Sequence, residues 1–132
     1  MKVYQALRAE TVWDPVSDQV AYAALARSQM GYLAICENEA LGMGRVTGDG
    51  ATSFYIEDLI VASKHRGAGV GQALLSALVA KIERLAPPGA MIALLAAEGS
   101  EGFYEANGFD RRPRAGYGPA MMRIVGAAGI RH

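Results

Sequence analysis

The sequence predicts an α/β protein of the α+β kind. It would hold a single mixed, mostly antiparallel sheet of six to seven strands with helices on both faces. Three observations carry that expectation. Residues 53–97 run strand, amphipathic helix, strand, a unit that closes as a right-handed crossover between parallel strands. Ahead of it, short apolar stretches divided by turn signals have the pattern of antiparallel hairpins. The 132 residues suffice for a hydrophobic core and show no repeat or linker, so residues 1–132 are expected to form one domain.

Taken in order, residues 2–8 (KVYQALR) have the pattern of a short first strand. Pro15 to Gln29 is alanine-rich, with apolar Val16, Val20, Ala24 and Leu25, and suits one or two short helices. GYLAICE (31–37) and ALGMGRVT (40–47) follow as two strands joined by a tight turn at Glu37-Asn38-Glu39. Asp49-Gly50 is a second turn signal, and SFYIEDLIVA (53–62) is a long apolar strand. Val70, Leu74, Leu75, Leu78, Val79 and Ile82 then recur at helical spacing until Pro87-Pro88-Gly89 stops the helix. MIALLAA (91–97) is a continuous apolar run, as in a strand covered on both faces. Ser100 is placed to cap a short helix through Ala106, which Asn107-Gly108 ends. Phe109–Arg112 and Ala120–Val125 complete the strands, and the tail 126–132 is expected to fray.

Composition narrows the function. Net charge is zero and no basic run exists, which argues against nucleic acid as a partner. No apolar run approaches the ~20 residues of a membrane span, and the N-terminus lacks the apolar centre of a signal peptide. A cytoplasmic location is the expectation. One cysteine and two histidines build neither a disulfide nor a zinc site, so no metal is expected. Cys36, inside GYLAIC, has the pattern of a buried structural thiol.

The chemistry concentrates at HRGAGVG (65–71), where three glycines open a leucine-rich helix. A helix start exposes unpaired N–H groups at the positive end of the macrodipole. Glycines there let a bulky anion reach the backbone, so the loop is a phosphate seat, with Arg66 beside it. The dinucleotide fingerprint fails because Gln72 stands where its third glycine belongs. The Walker A pattern fails for want of Gly-Lys-Ser/Thr.

What remains, Arg66-x-x-Gly69-x-Gly71, resembles the pyrophosphate loop of the GNAT superfamily of acetyl-coenzyme-A-dependent N-acetyltransferases. The preceding IEDLIVASKHRG resembles the family's central strand and turn. GFYEANGF (102–109) resembles its second signature, a tyrosine followed four and five residues on by Gly-Phe, and GYGPAMMR matches a common final strand. The similarity covers roughly residues 30–125. Many members carry an asparagine shortly before the Phe-Tyr pair to contact the pantetheine arm. Here the stretch is Ala96-Ala97-Glu98-Gly99-Ser100, leaving Ser100 or backbone groups for that contact.

Membership implies acetyl-CoA as cosubstrate and direct attack by the acceptor in a ternary complex. Leu59, Ile60 and Val61 match the positions whose backbone binds pantetheine and polarises the acetyl carbonyl. Arg66, Gly67, Ala68, Gly69, Val70 and Gly71 match the pyrophosphate seat. Tyr104 matches the tyrosine that lies at the cofactor and protonates the leaving thiolate; a phenol near pKa 10 suits a thiol near 8.5. The alternative is a core aromatic beside Phe103.

Glu57, by strict alternation, shares a face with Leu59 while Asp58 points away. A carboxylate on an apolar strand is costly to bury unless functional or paired, so Glu57 is the candidate base or attractor of a cationic acceptor. The alternative is an exposed or ion-paired glutamate. His65 is expected to be an exposed turn residue. Trp13, Tyr22 and Tyr117 either line an acceptor pocket or fill core and groove. Arg111, Arg112 and Arg114 either form a solvated turn or touch the cofactor's 3′-phosphate.

The expected function is acetyl transfer from acetyl-CoA to a primary amine of a small molecule. A non-catalytic acyl-CoA sensor of the same fold is the alternative. Related proteins often pair through sheet edges or C-terminal strands, so a homodimer is a further expectation.

Overall fold

Lys2–Arg8 forms a helix, α1, and not the strand expected there. Tyr4 and Leu7 are its buried residues, and that spacing of three belongs to one helix face. Seven residues hold too few apolar positions to separate a period of 3.6 from a period of 2. A second helix, α2, spans Asp18–Ala26, and the Ser17 hydroxyl caps it by accepting the Val20 N–H at 3.2 Å. The structure, a computed structural model, describes residues 1–126. It divides into two compact units, Met1–Leu94 and the segment from Leu95 onward. Apart from Gly126, the tail expected to fray lies outside the described residues.

In the first unit four strands form one mixed sheet in the order β1-β2-β3-β4. They are β1 (Met30–Cys36), β2 (Glu39–Gly48), β3 (Ser53–Val61) and β4 (Met91–Ala93). The first three pair antiparallel, and β4 joins β3 in parallel. Glu37 and Asn38, with φ of 51° and 64°, make the β1–β2 turn in the left-handed geometry that matches strand twist. At the next turn the Asp49 carboxylate accepts the N–H groups of Ala51, Thr52 and Ser53. The Thr52 hydroxyl also donates to it at 2.7 Å, and that bond first, then the backbone ones, hold its pKa far below the ordinary carboxylate value.

The sheet has four strands where six to seven were expected. The missing ones have identifiable breakers. β4 stops at Ala93 because it pairs β3 only over Ser53–Tyr55, so the run through Ala97 is not all strand. Phe109–Arg112 and Ala120–Val125 are not strands either. Between them Pro113 and Pro119 lack ladder donors. Arg114 and Tyr117 bond each other in a tight loop, and Arg112 Nε donates to Gly118 O at 2.7 Å. Cys36 is exposed, contrary to expectation, since it ends the edge strand β1 at the turn.

Helix α3 (Val70–Leu85) crosses from β3 to β4 and buries Leu74, Leu75, Leu78 and Ile82. It packs on β1, β2 and β3, as its apolar stripe requires. Two glycines of β2 allow the approach. A Cβ at Gly42 would stand 3.1 Å from Leu74 Cδ1, and one at Gly44 only 2.8 Å from Leu78 Cδ1. Met43, between them, points to the opposite face and joins Ile60, Ala62, Tyr4, Leu7 and Ala21 in a second core. Helices thus cover both faces of this sheet.

Candidate active site

A short 3₁₀ turn, Ser63–His65, leads from β3 towards α3. Gly67 and Gly69 both adopt φ of 83°, a left-handed conformation that side chains resist. A Cβ at either would meet nothing within 4 Å, so their outer side is open. Gly69 is the N-cap of α3 and no side chain caps it. The helix's hydrogen bonds begin with the Ala73 N–H donating to Gly69 O at 3.0 Å. The N–H groups of Val70 and Gly71 precede that bond and have no acceptor within the helix. Unpaired donors and open space combine here at the positive end of the helix dipole, an arrangement that suits an anion. Arg66 is exposed, and its Nε donates to Val61 O at 3.3 Å, which folds it over the end of β3.

Leu59, Ile60 and Val61 lie where β3 loses one neighbour. Beyond Tyr55 the strand is paired to β2 alone, and no strand occupies its other edge among the described residues. The ladder groups of that edge face no partner strand, as strand addition requires, although Val61 O already accepts Arg66 Nε. A bulge marks the opening: Asp58 has φ of 52° and the β2–β3 register shifts between Met43 and Arg45.

The bulge overturns the expected alternation. Glu57 pairs across the ladder with Arg45, and its carboxylate meets Arg45 Nη2 at 3.0 Å. Leu59 lies on the other face, against the Gly44 position and Leu78. Glu57 therefore does not share a face with Leu59, and Asp58 joins it beside Arg45. An extra residue in one strand resets every later side chain, and alternation cannot anticipate that.

Asp58 is the buried carboxylate of this strand, 7% exposed. Its Oδ2 accepts the Tyr4 hydroxyl at 2.6 Å and Arg45 Nε at 2.7 Å, and its Oδ1 accepts Arg8 Nη1 at 2.8 Å. Burial raises the Tyr4 pKa, and the bond to Asp58 adds to it. Burial alone would lower the Arg45 pKa, but its bond to Asp58 and the charges of Asp58 and Glu57 prevail and raise it. Arg8 Nε is buried and has no acceptor among the described residues. Tyr4, Arg8 and Arg45 escaped the sequence reading; the detectable signal was an aspartate inside an apolar strand, which must find partners.

This cluster closes one end of a cavity of about 240 Å³ on the α1–α2 side of the sheet. Val3, Leu25, Leu33 and Met43 supply apolar wall, while Tyr4, Arg45 and Asp58 supply the polar end. Trp13 and Tyr22 are exposed, and neither lines the cavity. Arg8 lies over the Trp13 ring at 5.5 Å. His65 is partly buried and lies 3.4 Å from Glu39, so it is not a fully exposed turn residue. Among the described residues, no group of three or more His, Cys, Asp or Glu could hold a metal. Among them, too, no helix is long and apolar enough to cross a membrane.

In the second unit Tyr104 sits on α4 (Glu101–Glu105). Its ring meets Phe103 and Phe109 edge-on, with centroids 5.1 and 5.9 Å away. Burial raises its pKa, so the phenol keeps its proton. Ser100 precedes α4 without capping it, because its hydroxyl donates to Ala97 O at 2.6 Å. Arg111 pairs with Glu105 and Arg114 with Asp110, both exposed at the surface. Tyr117 is exposed under the Arg112 guanidinium.

Comparison with known proteins sets these features in context. Residues 27–111 match the acetyltransferase (GNAT) domain family. No protein of curated function matches the chain. Among solved structures, a probable acetyltransferase from meticillin-resistant Staphylococcus aureus superposes with a TM-score of 0.81 at 24% identity, covering 92% of each chain. A GNAT family acetyltransferase from Streptococcus pneumoniae gives 0.78 at 24%, covering 93% of this chain and 89% of its own. Glucosamine-6-phosphate N-acetyltransferase from Arabidopsis thaliana gives 0.67 at 18%, covering 92% and 88%. These likenesses establish a shared fold.

Proposed function

The chain belongs to the GNAT acetyltransferase family, and from that membership we propose that it moves the acetyl group of acetyl-CoA to a primary amine of a small molecule. The observation that carries this is the open glycine seat at the start of α3, next to the unpaired edge of β3. In this reading residues 1–132 act as one domain and no metal takes part.

Arg66, Gly67, Ala68, Gly69, Val70 and Gly71 would hold the diphosphate, through backbone N–H groups and the Arg66 guanidinium. Leu59, Ile60 and Val61 would hold the pantetheine arm along the free strand edge. Bound there, acetyl-CoA supplies an activated thioester, and a strand N–H is the donor for its carbonyl oxygen. Tyr104 gives its phenolic proton to the departing sulfur, a role that its half-buried, protonated phenol suits. Glu57 receives the proton of the amine, directly or through water. Its half-exposed carboxylate is reachable, and Arg45 fixes its position.

The test follows thiol release from acetyl-CoA with an amine panel. Amine-dependent release in the wild type, lost in Tyr104→Phe and Arg66→Ala, is the expected result. A sensor that binds acyl-CoA without turnover is the second reading. The asparagine-free stretch Ala96–Ser100 and the committed Ser100 hydroxyl favour it. Calorimetric binding of coenzyme A together with inert chemistry would establish that reading instead.

A further inference from the structure

We propose that the cavity beside Asp58 takes a primary amine on a compact apolar body, with no second charge. This rests on the acetyltransferase reading for the amine's fate, but the binding claim stands on the cavity itself. Its volume of about 240 Å³ equals roughly eight water volumes at ~30 Å³ each. That admits a small amine and excludes a folded peptide. Val3, Leu25, Leu33 and Met43 make most of the wall apolar, with Met1 and Tyr32 also lining it, so a largely apolar body fits best.

The polar end is equally selective. Of the residues lining the cavity, Arg45 and Asp58 are ion-paired with opposite charges, and their pairs with Glu57 and Arg8 extend the network beyond the lining. Paired in this way, the lining offers neither a free guanidinium for a phosphate nor a free carboxylate for a polycation. It does keep one acceptor. An ionised carboxylate has about four lone-pair sites, and Asp58 uses three, on Tyr4, Arg8 and Arg45, among the described residues. One N–H of an amine can fill the fourth. Asp58 also directly precedes Leu59, where the open edge of β3 continues, so an amine held there sits at the strand proposed to carry the thioester.

The experiment compares 2-phenylethylamine and cyclohexylmethylamine with spermidine and glucosamine 6-phosphate. One arm measures kcat/KM by thiol release. The other measures the melting temperature of the full chain with each amine and without acetyl-CoA. The apolar amines are expected to exceed the charged acceptors by at least about tenfold in kcat/KM and to raise the melting temperature. Leu33→Trp, at a half-exposed edge-strand position that tolerates bulk, fills the cavity and should abolish that rise. Preference for spermidine or the sugar phosphate overturns the proposal, as does a rise that survives Leu33→Trp. A rise that Leu33→Trp removes, without turnover of any amine, supports the cavity assignment and refutes the acetyltransferase reading alone.

Discussion

Arg45 Nε donates to Asp58 Oδ2 across 2.7 Å, tying β2 to the left-handed bulge residue of β3. The same carboxylate holds Tyr4 and Arg8, so α1 is pinned to the sheet where β3 parts from β4. Both partners are largely buried, with side-chain exposures of 13% and 5%. Asp58→Ala would leave two guanidinium groups short of their counter-charge and should destabilise the fold by about 3–5 kcal/mol. Asp58→Asn should cost less, since asparagine tolerates the left-handed region. Urea unfolding of the two variants checks the order.

Tyr4 gives the fold a pH dependence of definite sign. Burial first, then the bond to Asp58, raises its pKa above the ordinary 10.0. The folded state therefore binds the proton more tightly than the unfolded chain. Its stabilisation is complete below pH 10.0 and is lost as pH rises through the folded value. Tyr104 adds a loss of the same sign. Thermal unfolding between pH 9 and 12 should fall more gently in Tyr4→Phe than in wild type. That variant should also lose about 1–3 kcal/mol at neutral pH, because Asp58 loses a donor.

The seat predicts a charge effect. Gly67→Asp places a carboxylate where a Cβ meets nothing, and aspartate is among the residues most tolerant of its positive φ. Acetyl-CoA affinity should fall by about tenfold or more, roughly 1.4 kcal/mol, while strain at the positive φ lowers the melting temperature of the free protein modestly. Calorimetric titration measures the first and a thermal melt the second.

Tyr104→Phe isolates the proposed acid. Removing one hydroxyl leaves the ring contacts with Phe103 and Phe109 in place. The expected loss in kcat is about 10²–10⁴-fold, with acetyl-CoA affinity nearly unchanged. An equal loss of affinity and rate would mark Tyr104 as a binding residue only.

Much of the central unit was legible because several signals agreed there. The β1–β2 hairpin joined apolar runs to a turn with Asn38, and α3 combined a long apolar stripe with Pro87 beyond its end. Arg66, Gly67 and Gly69 lie at the start of α3 because glycine placement there is a local requirement that composition records. α1 was not legible, since Tyr4 and Leu7 are too few to fix a period. The Asp58 bulge was invisible for a different reason. Alternation assumes a regular strand, and only pairing with β2 shows that Glu57 and Asp58 both meet Arg45. The cluster on Asp58 joins residues up to 54 positions apart, a relation that no local window contains. The apolar composition of residues 120–125 suggests a strand, but Pro113 and Pro119 withhold ladder donors and no strand forms there.

Amine-dependent thiol release from acetyl-CoA, measured with 2-phenylethylamine on the intact chain, tests the central claim most directly. Release should require both substrates, saturate with the amine and nearly vanish in Tyr104→Phe. Calorimetric binding of acetyl-CoA with no thiol release from any amine in the panel would contradict it.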